Sequence, residues 1–219
     1  MFRAPESLTL PPRALIPKTA PDDPIDYYFK PLTARIYRAR LALALRLLAD
    51  DHFDALVEVG YGSGIFLPAL ARRTERLVGV DVHGEEARVA EMLKRLDVSA
   101  ELLDASLFEM PFADGTFDGL VCLSVLEHFT DLAGALDELR RVLRPGATAV
   151  LGFPVRNPVT DTFFRAVGYD PRQIHPSSHA DILAAVSRNP GFALEIEARF
   201  PRRAPTLLAG YVGCRCRAL

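Results

Sequence analysis

The sequence predicts an α/β fold: a doubly wound sheet of seven strands, mostly parallel, with an antiparallel C-terminal strand. Three observations carry this expectation. From about residue 55 to 153, short apolar runs alternate with segments of helical period, and such a βαβ rhythm implies a parallel sheet. Crossovers between parallel strands are right-handed, which places helices on both faces. The last two strand-like runs are joined by a link around "PRRAPTLLAG", too short for a crossover helix, so they are expected to pair antiparallel.

The elements follow in order. Residues 1–24 hold six prolines and no periodicity and are expected as an extended N-terminal arm. Residues 25–219 are expected to form one domain. Ile36, Leu41, Leu43, Leu45, Leu47 and Leu48 mark a helix from Pro31 to Ala49, with the proline in its first turn. Strand 55–60 leads to helix 64–74, strand 77–82 to helix 84–95, and strand 99–104 to a loop. Strand 117–124 leads to helix 131–143, and strand 147–153 follows the turn Arg144-Pro145-Gly146. Residues 154–190 break the rhythm with prolines and polar residues and are read as an insertion, with short helices at about 160–167 and 179–188. Strands 192–200 and 210–217 close the chain.

Composition narrows the function classes. With 219 residues, 49% hydrophobic and 25% charged, the chain suits a single domain with a sizeable core. A net charge of −2 supplies no field for a nucleic acid partner, although Arg202-Arg203 is a local basic patch. Cys122, Cys214 and Cys216 have no framework spacing, which suits a reducing compartment. Cys214 and Cys216 are expected as small apolar side chains on one strand face. No apolar run reaches the roughly 20 residues of a membrane span. The N-terminal segment lacks a signal-peptide apolar block, so a cytoplasmic location is expected.

The residues "LVEVGYGSGIFLPAL", 56–70, carry the first chemical signal. A P-loop would need a lysine that is absent between Phe53 and Arg73. A dinucleotide loop would need glycine at 65 or 67, which are Ile65 and Leu67. The pattern is instead an acid followed by three alternating glycines: Glu58, Gly60, Gly62, Gly64. Asp81 ends the next strand, where an acid can take both hydroxyls of an unphosphorylated ribose. Asp104 ends the third. Ligands of open α/β sheets sit at these strand ends, and three acids there disfavour an anion and suit a nucleoside carrying positive charge.

Together with "VGVDVH", "LLDAS", "MPFADGTFDGLVCLSVLEHF" and "ELRRVLRPGATAVLGFP" in that order, the chain resembles class I S-adenosylmethionine-dependent methyltransferases over about residues 54–153. It is most similar to the small-molecule branch that includes quinone biosynthesis. The resemblance implies a Rossmann-like fold, S-adenosylmethionine as cofactor and S-adenosylhomocysteine as product. It also implies roles. Gly60, Gly62 and Gly64 form the turn against the methionine and ribose; Glu58 supports that turn and the ammonium end. Asp81 takes the ribose hydroxyls, Asp104 the adenine amino group, the Ala105 backbone lies near the ring, and Ser124 lies near the methionine moiety. The link "ASLFEM" is longer than the branch often has.

Methyl transfer from a sulfonium is an in-line displacement that depends on positioning. A base is needed only for an acceptor that must lose a proton. His128, after the fourth strand, and His175 and His179, in the insertion, are the candidate catalytic groups. His175 and His179 are spaced i, i+4, but Pro176 places His175 ahead of the helix. Glu127 and His128 are sequence neighbours, which chelate poorly, so no metal is assigned. Tyr27, Tyr28, Phe29, Phe163, Phe164 and Tyr169 are read either as an apolar lid or as core. The expected partner is a small-molecule acceptor, with no nucleic acid. The alternatives are a non-catalytic cofactor-binding module and, more weakly, a nicotinamide-dependent oxidoreductase.

Overall fold

The computed structural model describes residues 8–21, 23–31, 33–49, 51–156, 175–201 and 209–219. The expected helix at about 160–167, the aromatics Phe163, Phe164 and Tyr169, and the basic pair Arg202-Arg203 lie outside these residues.

The described chain runs α1 (Ala34–Leu48), β1 (Phe53–Val59), α2 (Leu67–Leu70), β2 (Thr74–Asp81), α3 (Glu86–Arg95), β3 (Glu101–Asp104), β4 (Phe117–Leu123), α4 (Leu132–Arg141), β5 (Leu143–Pro154), α5 (His179–Arg188), β6 (Phe192–Phe200) and β7 (Tyr211–Ala218). The strands form one seven-stranded sheet in the order β3-β2-β1-β4-β5-β7-β6. The first five pair in parallel. The terminal pair is antiparallel, and β7 inserts between β5 and β6.

The helix expected over 64–74 is the main departure. Only Leu67–Leu70 is α-helical, followed by a 3₁₀ turn at Ala71–Arg73. Strand β2 starts early because Thr74 pairs with Phe53 of β1, which leaves too few residues for a longer helix. Elsewhere the boundaries move by a few residues, and α5 falls where the sequence placed it. Its start is set by a capping box: the Ser178 side chain accepts from the Asp181 N–H, and the Asp181 carboxylate accepts from the Ser178 N–H.

Two apolar layers flank the sheet. One packs Leu136, Leu139, Ile182 and Val186 of α4 and α5 against Val57, Leu120 and Leu151. The other packs Leu41, Leu45 and Leu48 of α1 with Val89 and Leu93 of α3 against Leu56, Val121 and Val150. The arm joins this second layer: Ile16 is buried in it and Arg13 pairs with Asp26 at 2.8 Å. Cys214 and Cys216 are buried in the first layer with Sγ atoms 3.9 Å apart, as small apolar groups on one strand face. Val59, Asp81, Asp104 and Leu123 thus end four parallel strands along one sheet edge, on either side of the β1–β4 switch point. No helix of the described residues is long and apolar enough to cross a membrane.

Candidate functional site

Gly60, Gly62 and Gly64 all have positive φ, at 79°, 51° and 71°. A side chain would be strained at each, yet the reasons for closeness differ. A Cβ on Gly60 would stand 2.2 Å from Val125 Cγ2, and one on Gly64 would stand 2.5 Å from Val89 Cγ1. A Cβ on Gly62 would meet no atom within 4 Å. Two glycines therefore let the loop approach the protein itself, and the middle one leaves open space in the crevice.

The loop is clasped from β2. Asp81 Oδ2 accepts from the Gly62 N–H at 2.7 Å, and Oδ1 accepts from the Val82 N–H at 2.7 Å. Each oxygen keeps lone pairs for a further donor. Asp104 is exposed beside it, opposite Asp81 in the β2–β3 register, and the Ala105 N–H donates to the Asp81 carbonyl at 2.9 Å. The long "ASLFEM" link is anchored in the core by Leu107 and Met110, which leaves Phe108 at the surface against Phe129. Glu58 lies under the loop, 4% exposed, with Oε2 unpartnered among the described residues. Burial, reinforced by the Asp81 charge, pushes its carboxyl well above the ordinary range. A cation entering the crevice would relieve that penalty.

Ser124 follows β4 with φ of 59°, an uncommon conformation for a non-glycine residue and one that clusters at functional sites. Its Oγ lies 3.1 Å from the Tyr211 hydroxyl and 3.5 Å from Arg40 Nη1. Arg40, on α1, also donates to the Tyr28 hydroxyl, and its guanidinium lies over the rings of Tyr28, Tyr37 and Tyr211. Among the described residues its hydrogen-bond partners are hydroxyls, and its charge also acts on the buried Glu127 carboxyl, so an aromatic-walled cation borders Ser124. Tyr28, read beforehand as lid or core, is buried and forms one wall.

Of the three histidines, the structure brings two together. His128 and His175 have ring centroids 5.2 Å apart, and with Glu127 their ligand atoms all lie within 4.8 Å of one another. Burial, with the nearby His128 and Arg156, holds the His175 ring down at about 4, so it is uncharged at neutral pH. His179, the first residue of α5, does not join this group; its surroundings are Arg199, Asp181, Glu197 and Arg156.

Residues 57–151 match the family model described as a methyltransferase domain. That region is similar to methyltransferase domains. Among sequence relatives, it is 31% identical over 118 residues to the ubiquinone biosynthesis O-methyltransferase of Psychrobacter arcticus, covering 49% of this chain and 44% of the relative. It is 30% identical over 127 residues to the ubiquinone biosynthesis O-methyltransferase of Alkalilimnicola ehrlichii, covering 57% and 51%. The chain thus spans about half the length of the curated relatives it matches. The fold is also that of the N-methyltransferase NodS from Bradyrhizobium japonicum WM9, solved with S-adenosylhomocysteine: TM-score 0.68, 21% identity, 92% and 94% coverage.

The matched region contains every glycine and acid singled out from the sequence and excludes Arg40, Tyr211 and His175. Arg40 and Tyr211 were missed because nothing local marks them. His83 was missed too, although it sits two residues after Asp81. Its Nε2 donates to the Gly62 carbonyl at 3.0 Å and its Nδ1 accepts from the Glu85 N–H at 2.9 Å, so the ring holds the Gly62 carbonyl while Asp81 holds its N–H.

Proposed function

We propose that this chain binds S-adenosylmethionine in the crevice between the glycine loop, Asp81, Asp104 and Ser124, and transfers its methyl group to a small-molecule acceptor. The clasp between Asp81 and Gly62 carries the reading, because it sets an acid with spare lone pairs beside open space above a glycine. The ribose hydroxyls would donate to Asp81, and the adenine amino group to Asp104. The amino acid tail would run toward β4, with its ammonium near Glu58 and its carboxylate toward Arg40. Opposite charges at the two ends of that tail orient the sulfonium, and orientation is what an in-line displacement requires.

An acceptor would approach from the side of Ser124, His128 and His175. An uncharged His175 accepts a proton only weakly, so its fitting task is to position an acceptor hydroxyl or amine. That the relatives in Psychrobacter arcticus and Alkalilimnicola ehrlichii act in ubiquinone biosynthesis supports an oxygen acceptor on a small ring compound. The test is a screen of small phenols and amines with S-adenosylmethionine, reading S-adenosylhomocysteine release. Release with at least one acceptor, abolished in Asp81→Ala, is expected. Cofactor binding without release from any acceptor would leave a binding module and refute methyl transfer.

A further inference from the structure

Gly62 is the loop position that most needs an outside hold. Its φ of 51° is a conformation that glycine enters and leaves at little cost. A Cβ there would meet no atom within 4 Å, so nothing packs on the side where a side chain would stand. Its two polar groups are held instead. Asp81 Oδ2 accepts from its N–H at 2.7 Å, and His83 Nε2 lies 3.0 Å from its carbonyl oxygen. Which His83 nitrogen carries the proton follows from the second bond of the ring. The Glu85 N–H can only donate, so Nδ1, 2.9 Å away, accepts, and Nε2–H is the donor to Gly62. The ring is braced in this position. It stands edge-on to Tyr61 with centroids 4.9 Å apart, and Tyr61 is buried against Gly79 of β2, where a Cβ would stand 2.8 Å from its Cδ1.

We propose that His83 is a positioning residue of the methyl-donor site: through Nε2 it fixes the Gly62 peptide, so that the loop and the Asp81 carboxylate meet the donor already in place. This role rests on the donor reading above, and His83 acts through Gly62 rather than on the donor itself. Its two nitrogens have separable tasks. Nδ1 closes the turn His83-Gly84-Glu85 that leads into α3, whose own N-cap, Glu85, makes no side-chain bond to the helix. That task does not call for an imidazole, since Ser, Thr, Asp and Asn start helices as well or better. Nε2 takes no part in the turn and reaches across to the loop. Without it, Asp81 alone would hold Gly62 between the loop's other backbone bonds, from the Gly60 N–H to Val80 and from the Gly64 N–H to Tyr61. Donor binding would then have to order the Gly62 carbonyl, and ordering on binding lowers affinity.

Two amide side chains separate the tasks. The side-chain nitrogen of His83→Gln reaches the place of Nε2 and can donate to Gly62. His83→Asn offers an oxygen near the place of Nδ1, which can accept from the Glu85 N–H but falls short of the loop. The full chain and both variants, shown to be folded by circular dichroism, are titrated calorimetrically with S-adenosylhomocysteine. His83→Gln should bind with close to wild-type affinity, and His83→Asn about tenfold more weakly, the worth of one hydrogen bond. Amide hydrogen exchange at Gly62 in the ligand-free chain should quicken in His83→Asn and not in His83→Gln. A residue that only starts α3 would give the reverse order, with Asn the harmless change, and that result would overturn the proposal. Equal affinity in all three chains would overturn it too and leave the donor site standing. No binding by the wild-type chain would remove the donor reading and this role together.

Discussion

Arg40 shows most clearly what a single residue adds. A guanidinium ringed by tyrosines and bonded to hydroxyls is a cation whose natural partner is an incoming carboxylate. S-adenosylhomocysteine has that carboxylate and 5′-methylthioadenosine does not. Arg40→Met should lose about 10- to 100-fold affinity for the former, the worth of a charged hydrogen bond of roughly 1.5–3 kcal/mol. Its affinity for the latter should be unchanged, and equal losses for both would make Arg40 a structural residue only. Glu58 gives a second prediction. Its carboxyl is raised well above the ordinary carboxylate range, mainly by burial and then by the Asp81 charge. The raised value means that stability is complete below the ordinary carboxylate range and is lost as pH rises through the folded value. Urea unfolding from pH 4.5 upward should therefore show wild type losing stability relative to Glu58→Gln, and parallel curves would show that Glu58 ionises normally. Neither residue's environment was legible in sequence to the same degree. Glu58 announces itself inside an apolar strand, but Arg40 reaches Ser124 across 84 positions and Tyr211 reaches it across 87.

At the level of elements, the β1 strand and its glycine loop were read correctly in kind and wrongly in length. The strand ends where the Gly60 N–H donates to the Val80 carbonyl at 2.7 Å, and the chain then turns under Val125. The short α2 could not be read from periodicity, because the apolar run Ile65–Leu70 is buried whether helical or not and the Thr74–Phe53 pairing decides where β2 begins. Gly60→Ala should be among the costliest small changes in the molecule. The left-handed conformation costs about 1–2 kcal/mol for a residue with a Cβ, and overpacking against stiff, β-branched Val125 adds about 1–3 kcal/mol. Thermal unfolding should show a loss of about 3 kcal/mol in total, and adding Val125→Ala should relieve the packing share. A single variant as stable as wild type would mean that the loop can move aside freely. The α5 helix was placed well for a local reason: Ser178 and Asp181 form a capping box that is visible in the letters.

For the whole molecule, the βαβ alternation was enough to predict a mostly parallel sheet and its antiparallel end, because each is a matter of link length. Strand order was not available from the same pattern. That β7 lies between β5 and β6 depends on non-local pairings such as Val150 with Arg215 and Leu194 with Cys216. The acids proposed to line the donor crevice could be brought together from sequence for a related reason: Glu58, Asp81 and Asp104 each lie at or next to the end of a parallel strand, so their sequence positions alone bring them to one edge. The opposite side of the crevice is assembled from α1, β7 and the segment before α5, and only the fold brings Arg40, Tyr211 and His175 there. The account as a whole rests on a donor held at the Asp81–Gly62 clasp. Calorimetric titration of the wild-type chain and Asp81→Ala with S-adenosylhomocysteine tests it. Saturable one-to-one binding is predicted for wild type, with about a hundredfold loss in Asp81→Ala from removing charged hydrogen bonds to the ribose. Absence of binding by the wild-type chain at millimolar ligand, or equal affinity in the two chains, would rule that site out.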